Sequence, residues 1–226
     1  IRQALQYAIN GKELIDNVYR GAGEQVESIF PPWHPAFTKA SDLSAIRQNI
    51  SKAKELLKEE GYGPGGKQLK LKMLHGNGGA HVQRAVLIQA QLKAVGVELS
   101  IVKSKMGALL KQMYTGKYEM ALWQMLGGPT IQDYTWNMYH SGGSNNPSAY
   151  NKEGGYQNPE AEKLLDEIVK TNDPAVAKPN LIKLQNIIFE DVPVIFANWR
   201  NHRTARNSWV KNFKTGKLKG MEDLRE

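Results

Sequence analysis

Between Leu69 and Met125 the spacing of apolar residues switches period repeatedly, and this alternation restricts the fold more than any other feature of the chain. Leu69, Leu71 and Met73 alternate with lysines as in a strand, Val82 to Ala94 repeats at helical spacing, and Val97, Leu99 and Ile101 alternate again. Met106 to Tyr114 is helical, and Tyr118 to Met125 is an apolar, β-prone run. Strand, helix, strand, helix, strand predicts an α/β architecture, a mixed sheet flanked by helices.

Ahead of this block, Ile1, Leu5, Ala8 and Ile9, then Leu14, Ile15 and Val18, mark two short helices broken at Asn10-Gly11. Gly21 to Thr38 reads as a loop with a stiff Pro31-Pro32-Trp33-His34-Pro35 centre. Ile46 to Glu60 predicts a helix closed by Gly61. Behind the block lies a Gly/Asn/Ser-rich loop, Gly127 to Gln157, with helical content at Tyr134 to Tyr139. Helices are expected at Pro159 to Lys170 and Pro174 to Glu190, the second disturbed at Pro179, and then an apolar strand from Pro193 to Asn198.

The chain has 226 residues, 30 Lys+Arg against 22 Asp+Glu, a net charge of +8 and no cysteine. That length supports a real hydrophobic core in one large or two small domains. The lack of cysteine excludes disulfides, thiolate zinc sites, iron–sulfur clusters and a cysteine nucleophile. No apolar stretch approaches the ~20 residues of a membrane helix. Ile1 opens straight into an amphipathic pattern without Met or leader, which predicts a fragment or processed product.

The basic balance admits a nucleic-acid or envelope-polymer binder, because clustered cations gain from counterion release. Most lysines, however, are interleaved: Lys52, Lys54 and Lys58 share a helix with Glu55, Glu59 and Glu60. Only the tail is denser, from Arg200 through Arg203, Arg206 and Lys211 to Lys219, with Trp209 and Phe213 between. No recognition motif accompanies it, so a solvated or domain-facing surface is the preferred reading and no nucleic-acid partner is expected.

Chemistry-bearing motifs are few. Gly63-Pro64-Gly65-Gly66-Lys67 resembles the end of a phosphate loop, but Gln68 follows the lysine and a helix precedes, so a turn is expected. The histidines His34, His75, His81, His140 and His202 form no helical ligand pair; His75 and His81 bracket one loop, as separate surface residues or as co-ligands. No nucleophile elbow and no coupled carboxylate pair is present, so no catalytic residue, metal ligand or cofactor is assigned and the chain is not expected to be an enzyme. The informative loops are those after strands, His75 to His81 and Gly127 to Asp133, because strand carboxyl ends receive ligands in α/β sheets. Trp123, Trp136 and Trp33 lie on or near these loops or the proline loop, as binding faces or as core.

The order of segments resembles one family. Ile1-Arg2-Gln3-Ala4-Leu5-Gln6-Tyr7-Ala8-Ile9-Asn10 is similar to an opening run of the dipeptide/oligopeptide/nickel class of ABC-importer solute-binding proteins, family 5. The resemblance continues in order through Pro31-Pro32 with Pro35, Ala53-Lys54-Glu55-Leu56-Leu57 to Gly61-Tyr62, and Ile88-Gln89 to Val95-Gly96-Val97. Gly116 to Ala121, Tyr156-Gln157-Asn158-Pro159 and Gln185 to Pro193 complete it. It implies a type II periplasmic-binding-protein-like lobe: residues 1–200 as the C-terminal ligand-binding lobe, and 201–226 as a return segment toward an absent N-terminal lobe. It further implies an extracytoplasmic receptor, periplasmic or a membrane-anchored lipoprotein, that delivers a solute to permease subunits.

Departures from the family pattern narrow the ligand. The aspartate with which peptide-binding members hold the peptide ammonium falls on Gly127 or Gly128 here, and the arginine that dipeptide-specific members offer to the carboxylate falls on His75. Oligopeptides held by their backbone are the first expectation, an oligosaccharide the second, and a metal complex the third. Amides such as Asn77 and Gln124 can pair with peptide or sugar groups. The expected ligand-binding residues are Trp33, His75, Asn77, Trp123, Gln124, Gly127, Gly128, Thr130 and Tyr134.

Overall fold

The computed structural model describes residues 1–124, 130–143, 155–201, 205 and 207–211. The first two helices, α1 (Arg2–Ala8) and α2 (Gly11–Tyr19), are separated where Asn10 turns extended and caps α2, its side chain accepting from the Glu13 N–H. A two-residue strand β1 (Gly23–Glu24), the proline loop and a 3₁₀ turn (Ser44–Ile46) lead to α3 (Ile50–Glu59). The Gly61–Lys67 stretch is a tight turn, as the sequence predicts: the Lys67 N–H donates to the Gly61 carbonyl at 2.8 Å.

The central block then forms β2 (Lys70–His75), α4 (Gly79–Ala94), β3 (Glu98–Lys103), α5 (Met106–Tyr114) and β4 (Met120–Leu122). The strands are parallel, in the order β3-β2-β4, with His75 opposite Lys103 on one side and Leu122 on the other. Side-chain alternation divides β2 between two faces. Leu69 and Met73 join the core beneath α1, α3 and α4, whereas Leu74 packs with Leu109 and Met113 of α5.

Beyond β4 come two single-turn helices, α6 (Ile131–Tyr134) and α7 (Trp136–Tyr139), then α8 (Pro159–Ile168) and α9 (Pro174–Asp191). Thr135 breaks what the sequence reads as one helical stretch, with its hydroxyl donating to the Ile131 carbonyl. Helix α9 runs through Pro179 rather than breaking there. Together these helices and the proline loop bury a second core, including Phe30, Leu165, Leu184 and Ile188.

The apolar strand expected at Pro193–Asn198 is not a strand. Val192 closes α9 in the left-handed conformation (φ 47°), and the following segment runs extended between the two cores. Val194 and Phe196 pack on the core of α8 and α9, while Ile195 and Ala197 pack on that of the parallel sheet. The alternation is real, but two cores rather than a sheet surface and solvent produce it. Backbone pairing is supplied by Gln6, whose Oε1 accepts from the Phe196 N–H at 2.6 Å and whose Nε2 donates to the Phe196 carbonyl at 3.1 Å. The chain passes so close to α2 that a Cβ on Gly11 would lie 2.0 Å from the Ala197 carbonyl oxygen. Pairing resumes one residue past the expected strand: β5 (Trp199–Arg200) lies antiparallel to β1, in a sheet separate from the parallel one.

Candidate functional site

The strand order itself locates a crevice. From β2 the chain crosses through α4 to β3 on one side and returns through α5 to β4 on the other, so the direction of winding reverses between β2 and β4. In open α/β sheets ligands bind outside the strand carboxyl ends at such a reversal, where the two connections leave in opposite directions. Those ends carry His75-Gly76 and Trp123-Gln124.

The His75 imidazole does not stand free at this edge. It is 3% exposed, with Nδ1 2.9 Å from the Gly76 carbonyl, and thus is neither a surface histidine nor an open cationic clamp. The loop after β2 is also shorter than the sequence indicates, because α4 begins at Gly79 and the His81 and Val82 N–H groups both donate to the Gly78 carbonyl. Asn77 is exposed at the tip of that loop.

The cations are arginines. Arg84 projects from the second turn of α4 and is only 9% exposed; its hydrogen-bonding partner is Tyr19 of α2, and its Nε has no partner. Arg200 of β5 lies with its guanidinium carbon 5.7 Å from the centre of the Tyr19 ring and donates from Nη1 to Gln124 Oε1 at 3.4 Å. Burial lowers the Arg84 guanidinium from its ordinary value, Tyr19 opposes that, and the Arg200 charge adds to it. His81, three residues before Arg84, is held below 6.5 by burial and then by the charges of Arg84, Arg200 and His75. A depression of about 310 Å³ adjoins this group, lined in part by Tyr19, Arg20 and Arg200.

An aromatic cluster continues from the other residue of β5. Tyr134 lies 5.2 Å from His34, 5.6 Å from Phe30 and 6.3 Å from both Trp33 and Trp199, centre to centre. The Tyr134 hydroxyl is pushed up to about 12 by burial and by the charge of Asp133, so it stays a neutral donor. Thr130 caps α6 through a reciprocal box: its hydroxyl donates to Asp133 Oδ2 at 2.7 Å, while the Asp133 N–H donates back to Oγ1.

Of the residues expected at the site, His75 and Gln124 share the crevice, while Trp33 and Tyr134 share the aromatic cluster. Trp123 instead packs on the small core under α5, and Trp136 stacks on His140 at 4.5 Å, so the tryptophans do not build one platform. Gly127 and Gly128 lie outside the described residues. In the sequence His81 pairs with His75 across one loop, Arg84 carries no motif and Arg200 opens a charged tail, so nothing there joins the three. A signal was present for Arg84, since it falls on the helical stripe of Ile88 and Gln91, which α4 buries. Among the described residues no group of three or more His, Asp or Glu stands together to hold a metal.

The model of bacterial extracellular solute-binding proteins, family 5, middle region, matches residues 1–147. The chain belongs to this family. It is similar to the oligopeptide-binding protein AppA of Bacillus subtilis strain 168, with 26% identity over 225 residues, covering 95% of this chain and 41% of that protein. Among solved structures it resembles AppA from Clostridium difficile, with a TM-score of 0.75 and 25% identity, over 88% of this chain and 40% of that one. It also resembles the B. subtilis oligopeptide-binding protein AppA in complex with a nonapeptide, with a TM-score of 0.71 and 22% identity over 88% of this chain and 41% of the other. These neighbours have the type II periplasmic-binding-protein fold expected from the sequence. The family 5 chain therefore spans about two-fifths of the length of such relatives. Members of the family bind solutes outside the cytoplasm, and among the described residues no helix is long and apolar enough to cross a membrane.

Proposed function

We propose that this chain is the ligand-holding part of the receptor of an ABC importer, which closes on oligopeptides between two lobes and passes them to the permease subunits. The observation that carries this reading is the crevice between β2 and β4, edged by an amide and an arginine in contact with each other, Gln124 and Arg200. Such groups hold peptide carbonyls and carboxylates without transforming them, and the chain works as a binder rather than an enzyme. Similarity to proteins named for oligopeptide binding supports the solute class.

On this reading residues 1–200 are one lobe and 201–226 return toward the other. The full-length protein sits at the outer face of the cytoplasmic membrane, in the periplasm or as a lipoprotein. Asn77 and Gln124 offer amides, Trp33 and Tyr134 a partly apolar wall, and His75, Trp123 and Thr130 shape the rim, with Gly127 and Gly128, outside the described residues, assigned to the same solute. Native mass spectrometry of the full-length protein, purified without denaturation, tests the assignment. A ladder of co-purified peptide masses is expected. Masses spaced by one hexose would replace peptide with oligosaccharide, and a single metal-containing mass would replace it with a metal complex.

A further inference from the structure

Arg84 presents an electrostatic problem that the described residues do not solve. A guanidinium stays charged at any physiological pH, and removing it from water is costly unless an anion and hydrogen-bond acceptors replace the solvent. Here the side chain is 9% exposed and its Nε donor is buried without an acceptor. Its neighbours are the phenol of Tyr19, a second cation, Arg200, and the His81 imidazole, whose Nδ1 is likewise buried without a partner. None of the ion pairs among the described residues includes Arg84 or Arg200.

The three groups come from separate elements that meet at one place. His81 and Arg84 lie one turn apart on the same face of α4, Arg200 reaches over Tyr19 from β5, and Gln124 ties Arg200 to the carboxyl end of β4. Positive charge is thus concentrated beside the β2/β4 crevice, with donors waiting and no carboxylate among the described residues to receive them. We propose that Arg84 and Arg200, with His81 beside them, form the seat for a carboxylate of the bound solute. This rests on the receptor reading above and adds to it a solute class, anionic peptides, and a location distinct from His75. Two sources share this chemistry, the peptide's own carboxyl terminus and an Asp or Glu side chain. A carboxylate there would pair with two guanidinium groups and relieve the uncompensated charge at Arg84.

The test uses the full-length protein and four pentapeptide libraries, with free or amidated carboxyl termini and with or without Asp and Glu, measured by calorimetry at fixed ionic strength. The acidic form from one source is expected to bind about tenfold or more tightly than its neutral counterpart, and the library that shows the preference identifies the source. Arg84→Met and Arg200→Gln should each abolish that preference, so that the acidic and neutral libraries bind the variant equally. Because Arg84 is uncompensated without ligand, Arg84→Met should also raise the Tm of the ligand-free protein. Anion binding should raise the His81 pKa, read by histidine NMR, since it offsets Arg84 and Arg200, whose charges depress it together with burial and His75.

Equal affinity for all four libraries, with an unmoved His81, overturns the carboxylate seat and leaves the receptor reading intact. A lower ligand-free Tm for Arg84→Met, with the acid preference retained, also overturns it, because Arg84 would then be paired with an acid of the protein itself. Absence of binding by every library overturns the peptide reading, and the seat with it.

Discussion

At His81 the fold makes protonation harder than it is in the unfolded chain. Burial, Arg84, Arg200 and His75 all lower its pKa from 6.5. The unfolded state therefore takes up a proton near pH 6.5 while the folded state waits for a lower pH. In the window between, the unfolded chain binds more protons, so stability falls as pH is lowered through it and is unaffected by this group above it. Denaturant unfolding of wild type and His81→Gln at pH 7.5 and pH 5 should show a smaller loss on acidification in the variant. Equal losses would mean that His81 is not perturbed. Arg84 left a trace in the sequence, on the buried stripe of Ile88 and Gln91, but its grouping with Arg200 was hidden, because the packing of α2 and β5 against α4 joins residues far apart in the chain. His75 misled in the opposite sense, since its place at a strand end did not reveal that its ring turns back on the Gly76 carbonyl.

Among the elements, those whose periodicity had one cause were readable and those with two were not. Helices α4, α5, α8 and α9 and strands β2 and β3 each present one buried face or alternate between defined faces, and their positions follow from the residues. The segment from Val194 to Ala197 alternates because it separates two cores, a geometry that sequence alone cannot tell from a strand. Its hydrogen bonds depend on one side chain. Gln6 is fully buried and joins Phe196 to the Ile46 carbonyl of the 3₁₀ turn, and Gln185 performs the same service between Ile29 and Thr38. Gln6→Leu keeps the volume roughly constant but leaves the Phe196 N–H and two carbonyls without their partner. The expected cost is about 3 kcal/mol or more, given roughly 1 to 3 kcal/mol for each of the three groups left unpaired. Urea unfolding should show a lower midpoint with an unchanged slope. A loss under about 0.5 kcal/mol would mean that water or a backbone shift satisfies these groups.

At the scale of the whole molecule, two cores meet along one extended strip, and the candidate site lies where that strip ends, at Trp199 and Arg200. The site is thus assembled from α2, α4, the end of β4 and β5, in a chain that spans 41% of the length of the B. subtilis AppA protein. If solute is held between two lobes, this chain supplies only part of the contact surface and none of the closure that excludes water. A ligand at 100 times its Kd stabilises a binding-competent fold by about 2.7 kcal/mol. The full-length protein should therefore show a clear rise in Tm with the best peptide library. The 226-residue chain, at the same ligand concentration, should show almost none. Its own cooperative unfolding transition is the control that separates weak binding from failure to fold. A shift equal to that of the full-length protein would mean that the site is complete within this chain, and the two-lobed reading would have to be abandoned in favour of binding on the exposed crevice alone.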